Sequence, residues 1–423
     1  MTDSSVPFRG LSLAPFRALR YTADAADLGQ QFSPPYDVIT PADRAALVES
    51  SATNVVRLIL PEEDEAALAG GDKYAGARTM LDAWVADGTL AADPAPALFV
   101  YEMITADGEQ TRGLLGAVEL RDPGDGVILP HENTMAGPVS DRLALMSTTE
   151  ANLEPIYLVY DGGGAASELV AQASDEVPDL QAQTPDGTVH RLWTITDPVR
   201  HTAVADDLAG RRALIADGHH RYATYRQLQA DHAGQPGPWD RGLTLLVDTS
   251  SYGPQVHPIH RVVALGWDEL VQRTRAAGIS VGPELPLVEA EAALASTEGF
   301  AVALARRAGA VVISEVPDRL VGDALGAEAG SALAALDITV LHRVLVERVW
   351  QLTDDVQRVG YAHSVSEALA AADDQGGTAV LVRATPVQAV AEVAAAGLRM
   401  PRKSTLFTPK PASGVVIRRF ADQ

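Results

Sequence analysis

Between Ala213 and Tyr222 the chain passes, without a linker, from the apolar run Ala213-Leu214-Ile215-Ala216 through Asp217 and Gly218 into His219-His220-Arg221-Tyr222. The apolar run reads as a buried strand, and the stretch from His219 to about Ala233 reads as a helix. A strand that turns straight into a helix needs a sheet with helices packed on it. Further apolar strands alternate with helical patterns along the chain, so the expected class is α/β, in the sense of a mixed α+β fold. The turn also constrains chemistry. Gly218 permits a tight bend or a close backbone approach. A helix N-terminus offers free N–H groups and a partial positive charge, which suit phosphate. Arg221 adds a planar fork of donors. Two histidines in a first turn run against the helix dipole, and an anionic ligand would resolve that misfit. The plainer alternative is an aspartate cap followed by surface histidines.

The other elements are read in the same way. Thr40-Pro41-Ala42-Asp43 is a helix start with proline at the first position. Residues 54–60 read as a strand. Residues 72–87 read as an amphipathic helix with Tyr74, Ala77, Leu81 and Trp84 on one face. Runs at 98–103 and 113–120 flank Asp107-Gly108, a hairpin signal. Strands are expected at 155–160, 243–247, 311–313 and 379–382, and helices near 336–350, 364–373 and 386–397. This gives three expected parts. Residues 1–125 form an N-terminal α/β region, 126–264 the core, and 265–423 a C-terminal α/β domain whose basic tail returns to the site.

Charge and composition narrow the partners. The chain carries 33 Lys and Arg against 56 Asp and Glu, a formal charge of −23. Such a surface repels nucleic-acid backbones and anionic membranes, so neither is expected as a partner. There is no cysteine, which excludes thiolate catalysis, zinc–thiolate sites and disulfides. Residues 1–5 carry no basic start followed by an apolar run, and no apolar stretch reaches about 18 residues. A cytoplasmic protein acting on a small molecule is the expectation; the oligomeric state is left open.

Four further clusters carry polar chemistry. His131-Glu132-Asn133-Thr134, followed by Asp141-Arg142, stands at another strand end; Met135 rules out the His-Glu-x-x-His zinc motif. Glu132 there suits a general base or a magnesium ligand, or simply a cap and ion-pair cluster with Arg142. His257-Pro258-Ile259-His260-Arg261 is a polar wall or a satisfied turn. Lys403-Ser404-Thr405 and Lys410 form a basic group that could close on an anion or be a solvated tail. Ser33-Pro34-Pro35-Tyr36-Asp37 is a rigid extended segment that could line a pocket. His342, in an apolar helix, reads as a hydrogen-bonded core histidine. Neither a Walker phosphate loop nor a dinucleotide glycine fingerprint is present.

In this order, Pro34-Pro35-Tyr36-Asp37-Val38-Ile39, His131-Glu132-x-Thr134, Asp141-Arg142, Ala216 to Tyr222, His257-Pro258-x-His260-Arg261 and Lys403-Ser404-Thr405-x-Phe407-x-Pro409-Lys410 resemble the bacterial family called domain of unknown function 1015. The Asp-Gly-His-His-Arg turn also resembles the phosphate-binding turn of the ParB/sulfiredoxin-like superfamily and, within it, free serine kinases. That resemblance implies a ParB/sulfiredoxin-like core with a mixed sheet, and a nucleotide-dependent kinase that phosphorylates the hydroxyl of a free amino acid, L-serine foremost. It implies Glu132 as base, with Asp217 and His219 catalytic. Gly218, His220, Arg221, His131, Thr134 and Arg142 would hold phosphate or nucleotide. Tyr36, Asp37, His260, Arg261, Lys403, Ser404 and Lys410 would line the pocket. Mg²⁺ and ATP or ADP are the implied cofactors, with no metal ligand assigned. Glu132 and Asp217 stand 85 positions apart, more than expected in the small kinases. Sulfiredoxin chemistry is excluded by His219 at the position of the catalytic cysteine. Two alternatives remain: a nucleotide-binding regulator of the ParB type without kinase activity, and a metal-dependent hydrolase using His131, Glu132, Asp217 and His219.

Overall fold

The computed structural model describes residues 9–353, 355 and 357–423; the N-terminal residues read above for a leader lie outside them. The fold is mixed α/β, and the chain divides into two compact units. The first unit comprises residues 1–130, 134–255 and 409–423, the second residues 131–133 and 256–408.

The first unit is built on a nine-stranded mixed sheet. From one edge its strands run Ile128–Leu129, Ala213–Asp217, Ile156–Tyr160, Arg241–Asp248, Gln110–Glu119, Leu98–Ile104, Val189–Ile195 and Leu180–Gln183, with Leu13–Ala14 pairing on Gln110–Glu119. Ala213–Asp217 runs parallel to Ile128–Leu129, and Arg241–Asp248 runs parallel to Ile156–Tyr160; the remaining pairs are antiparallel. Alternation decides what each face buries. Leu98, Val100, Leu114, Val118, Ile156, Leu158, Ala213 and Ile215 point to one face, under the helices Gly164–Ala173, Pro198–Leu208 and His219–Asp231. Phe99, Tyr101, Thr111 and Tyr157 alternate to the opposite face, and a bulge between Ile215 and Asp217 shifts the register so that Asp217 pairs with Tyr157. There Phe16 packs edge-on against Phe99, and the Ala412 N–H donates to the Tyr101 hydroxyl.

The expected division at 125/126 does not separate two bodies. The hairpin 98–119 hydrogen-bonds along Arg241–Asp248, so the expected N-terminal region and core share one sheet. The boundary between units falls at 255/256, ahead of the expected 264/265. Residues 54–60 also depart from expectation. They form the short helix Val56–Ile59, because the Asn54 side chain accepts from the Val56 N–H and donates to the Gln30 and Phe32 carbonyls. A short apolar run fits a buried helix as well as a strand, and the asparagine decides. The helix Lys73–Ala86 buries Ala77, Leu81 and Trp84, while half-buried Tyr74 directs its hydroxyl to Asp141.

The second unit holds a six-stranded antiparallel sheet, in the order Ser280–Val281, Gly309–Ser314, Ala301–Arg306, Thr378–Leu381, His260–Val263, Val359–Ala362. The helices Leu287–Ser296 and Val365–Gln375 pack on it. Their interface is dominated by alanine: Ala290, Ala301, Ala303, Ala305, Ala310, Ala368, Ala372 and Ala379 are all buried. The helix Asp337–Val340 continues into the wider π-helical turns of Leu341–Val349. Among the described residues, no helix is long and apolar enough to cross a membrane.

Candidate functional site

The strand Ala213–Asp217 ends at the turn read from the sequence, and the helix His219–Asp231 begins one residue later. Gly218 makes the bend at φ +89°, in the left-handed region where glycine is unstrained. A Cβ on it would sit 3.0 Å from the Arg221 Nε. The helix's first intrahelical bond runs from the Tyr222 N–H to the Gly218 carbonyl, 2.8 Å. In an α-helix the N–H groups of the first turn have no intrahelical acceptor and carry the positive end of the helix dipole.

Beneath the turn, carboxylates and cations interlock. Arg221 is 3% exposed and donates to the Asp217 carboxylate and to the Pro155 carbonyl. The other Asp217 oxygen lies 2.6 Å from Lys410 Nζ, which is 3.0 Å from Asp37. Burial works against the Lys410 charge, but Asp217 and Asp37 outweigh it and raise its pKa. The same competition, with Asp217, Glu154 and Asp37 as the carboxylates, raises that of Arg221. Both side chains therefore stay cationic at any ordinary pH.

A neighbouring cluster is centred on Glu154, which is 5% exposed. It accepts from the Tyr36 N–H at 3.0 Å and from the Ser413 hydroxyl at 3.1 Å. Arg142 lies 3.9 Å from Glu154 and 2.6 Å from Asp141, and its guanidinium stands 4.3 Å over the Tyr36 ring. Burial, offset by Arg221, pushes the Tyr36 hydroxyl up to about 12. Thus Tyr36, Asp37, Arg142, Asp217, Gly218, Arg221 and Lys410 come together in the first unit. His219 is buried at the start of the helix, His220 Nε2 accepts from the Met135 N–H at 3.1 Å, and Thr134 is exposed. Sequence reasoning passed over Glu154, whose only local signal is an acidic residue ahead of Pro155. It also passed over Tyr157, which is fully buried and pairs across the sheet with Asp217.

The remaining candidates belong to the second unit. His131 is fully buried, shares a hydrogen bond with the Thr405 hydroxyl at 3.0 Å and accepts the Met400 N–H on its carbonyl. Glu132 beside it is half-buried. Arg261 is fully buried. It donates to His342 Nε2 at 2.9 Å and to the carbonyls of Ile259, Arg402 and Lys403. Those bonds clamp the turn in which Lys403 adopts φ +54°, a conformation a lysine takes at some cost. His342 is the hydrogen-bonded core histidine its setting suggested. His260 Nδ1 accepts from the Val382 N–H, and burial together with the Arg261 charge lowers its pKa to about 4. The Ser404 hydroxyl donates to the Pro401 carbonyl. Arg261, His260 and Ser404 therefore hold backbone in place, whereas the exposed Lys403 side chain is presented outward.

Among the described residues, no three His, Asp or Glu side chains gather as a metal-ligand set. The facing carboxylates Asp37 and Asp217 already share a lysine ammonium. With that ammonium between them, these two carboxylates do not fit a magnesium ion held by the protein.

No curated protein matches this chain. Among solved structures it is similar to a free serine kinase in complex with AMP, at 17% identity and a TM-score of 0.34, covering 66% of this chain and 83% of that one. It is similar to SbnI with a C-terminal truncation from Staphylococcus aureus, at 12% identity and a TM-score of 0.37, covering 71% and 86%. A conserved hypothetical protein from Pyrococcus furiosus is similar at 16% identity and a TM-score of 0.33, covering 67% and 88%. The family model described as "Protein of unknown function (DUF1015)" matches residues 13–328, three quarters of the sequence, and the chain belongs to that family.

Proposed function

We propose that this protein is a nucleotide-dependent small-molecule kinase that transfers the terminal phosphoryl group of ATP or ADP to the hydroxyl of a free amino acid, L-serine being the first acceptor to test. One observation carries the reading: a helix N-terminus opens directly behind a carboxylate, Asp217, that is fixed on one oxygen by Arg221 and on the other by Lys410. Phosphoryl transfer needs positioning and charge compensation more than covalent chemistry. The first-turn N–H groups would receive phosphate oxygens. Arg221 would act one step back, holding Asp217 and the Pro155 carbonyl in place. Asp217, unable to rotate, would orient the incoming hydroxyl. In the transfer, the bond from the terminal phosphorus to the bridging oxygen breaks, a bond to the hydroxyl oxygen forms, and the hydroxyl proton leaves. The motif resemblance assigns that proton to Glu132.

The test is a nucleotide-consumption assay with and without L-serine, with phosphoserine as the product followed. Glu132→Gln should lower turnover by about 10²–10⁴-fold and leave nucleotide binding intact. Full activity in Glu132→Gln removes it as base. Nucleotide binding without acceptor-dependent turnover, across hydroxyl amino acids, replaces the kinase reading with that of a nucleotide-binding regulator.

A further inference from the structure

Lys410 lies outside the stretch matched by the family model, which ends at residue 328. Yet the segment that carries it is built into the first unit. Ser413 exchanges both backbone hydrogen bonds with Ser33, at 2.8 and 3.2 Å, and Ile417 does the same with Leu19. Arg418 is 2% exposed and donates to Asn152 and to the Pro238 and Arg241 carbonyls. Gly414 passes at φ +92°, where a Cβ would sit within 3.1–3.3 Å of Val55 and Phe32. These anchors stand three to eight residues from Lys410, so its ammonium is delivered by fixed backbone.

Two carboxylates converging on one small cation is an arrangement commonly met around a divalent ion. Here the cation is the lysine, 2.6 Å from Asp217 and 3.0 Å from Asp37, with its side chain 14% exposed. An ammonium has three donors and these contacts use two. We propose that Lys410 is the resident cation of the phosphate site: its third donor takes an oxygen of the nucleotide's terminal phosphate, in the position a metal held by Asp37 and Asp217 would otherwise fill. The proposal rests on reading the 217–221 turn as a phosphate site. It adds a specific claim, that the protein meets the phosphate with its own cation and needs no ion bound to its carboxylates.

The experiment uses the full-length protein, with ADP titrated calorimetrically in the absence of divalent ions and Mn²⁺ titrated alone by electron paramagnetic resonance. Wild type should bind ADP without a divalent ion and should not bind Mn²⁺. Lys410→Met should weaken ADP binding about 10- to 100-fold, the weight of a lost charge-assisted hydrogen bond, and should gain Mn²⁺ binding where the lysine ammonium stood against Asp37 and Asp217. Lys410→Arg should keep ADP affinity within a few-fold. A folded Lys410→Met that binds ADP like wild type overturns the role of Lys410 and leaves the phosphate-site reading standing. Wild type that binds no nucleotide, with or without Mg²⁺, overturns both. If Lys410→Met does not fold, the wild-type titrations decide: tight Mn²⁺ binding with Lys410 in place overturns the proposal, and divalent-free ADP binding without Mn²⁺ binding supports it.

Discussion

The first unit sets buried ion pairs into its largely apolar interior, whereas the sheet–helix interface of the second is built mostly of alanine. In the first, Glu102 is fully buried and held by Arg112, Arg191 and Gln110, with the Arg112 guanidinium 4.5 Å from the Tyr252 ring. Asp217, Arg221 and Lys410 repeat that arrangement at the strand end. In the second, the sheet–helix interface is a field of small side chains, and the buried Arg261 is directed mostly at carbonyls. A buried charge is tolerated only with its partners in place, so a charged interior admits one arrangement. An alanine interface instead brings backbones close, and its strength lies in fit. The difference teaches where positional precision resides: in the unit that carries the Asp217–Arg221 turn.

That contrast can be broken. The largest expected loss of stability is Glu102→Ala, which strands Arg112 without a carboxylate and should cost about 3–5 kcal/mol in denaturant unfolding. A loss below about 1 kcal/mol would erase the distinction between the interiors. The next effect is acid sensitivity. His190, between the Tyr101 hydroxyl at 2.8 Å and the Thr184 hydroxyl at 3.1 Å, is held at about 4 by burial, against an ordinary value of 6.5. Its folded pKa is depressed, so folding favours the neutral ring. The stability this contributes is present above pH 6.5 and lost as pH falls toward 4, by about 1.4 kcal/mol per unit. His260 in the second unit, also at about 4, acts in the same direction. His190→Gln and His260→Gln should each flatten the acid limb of a stability–pH curve; identical limbs in both variants would remove burial as the cause. The smallest effect belongs to the alanine interface. Ala303→Leu should cost about 1–3 kcal/mol by overpacking, seen as a lower melting temperature, and should leave nucleotide binding unchanged.

Much of the strand–turn–helix at 213–231 was legible because its signals are local. An apolar run, an acidic residue, a glycine and a helical pattern sit in consecutive positions from 213 to 231. The pairing of Lys410 with Asp37 spans 373 positions, and no local pattern announces it. Glu154 was invisible for a related reason: its partners Tyr36 and Ser413 come from opposite ends of the sequence. The His260-Arg261 pair stood out as a motif, but its task of holding the 402–403 carbonyls depends on where a distant turn is delivered. The pairing across the expected 125/126 division is hidden on the same ground, since the hairpin 98–119 finds its neighbouring strand only at 241–248. Within residues 54–60, a single asparagine outweighed five apolar neighbours.

The discontinuity of the first unit has a consequence in time. Its strands and the Asp217 turn are synthesised before residue 256, but Lys410 follows only after the roughly 150 residues of the intervening unit. At about 5–20 residues per second, a ribosome takes on the order of 10–30 s to cover that distance. For that interval the nascent chain carries Asp37 and Asp217 without their lysine, and the groove that Ser413 and Ile417 later occupy stands open beside Ser33 and Leu19. Half-made chains therefore carry the Asp217 turn without the cation that the finished fold sets beside it.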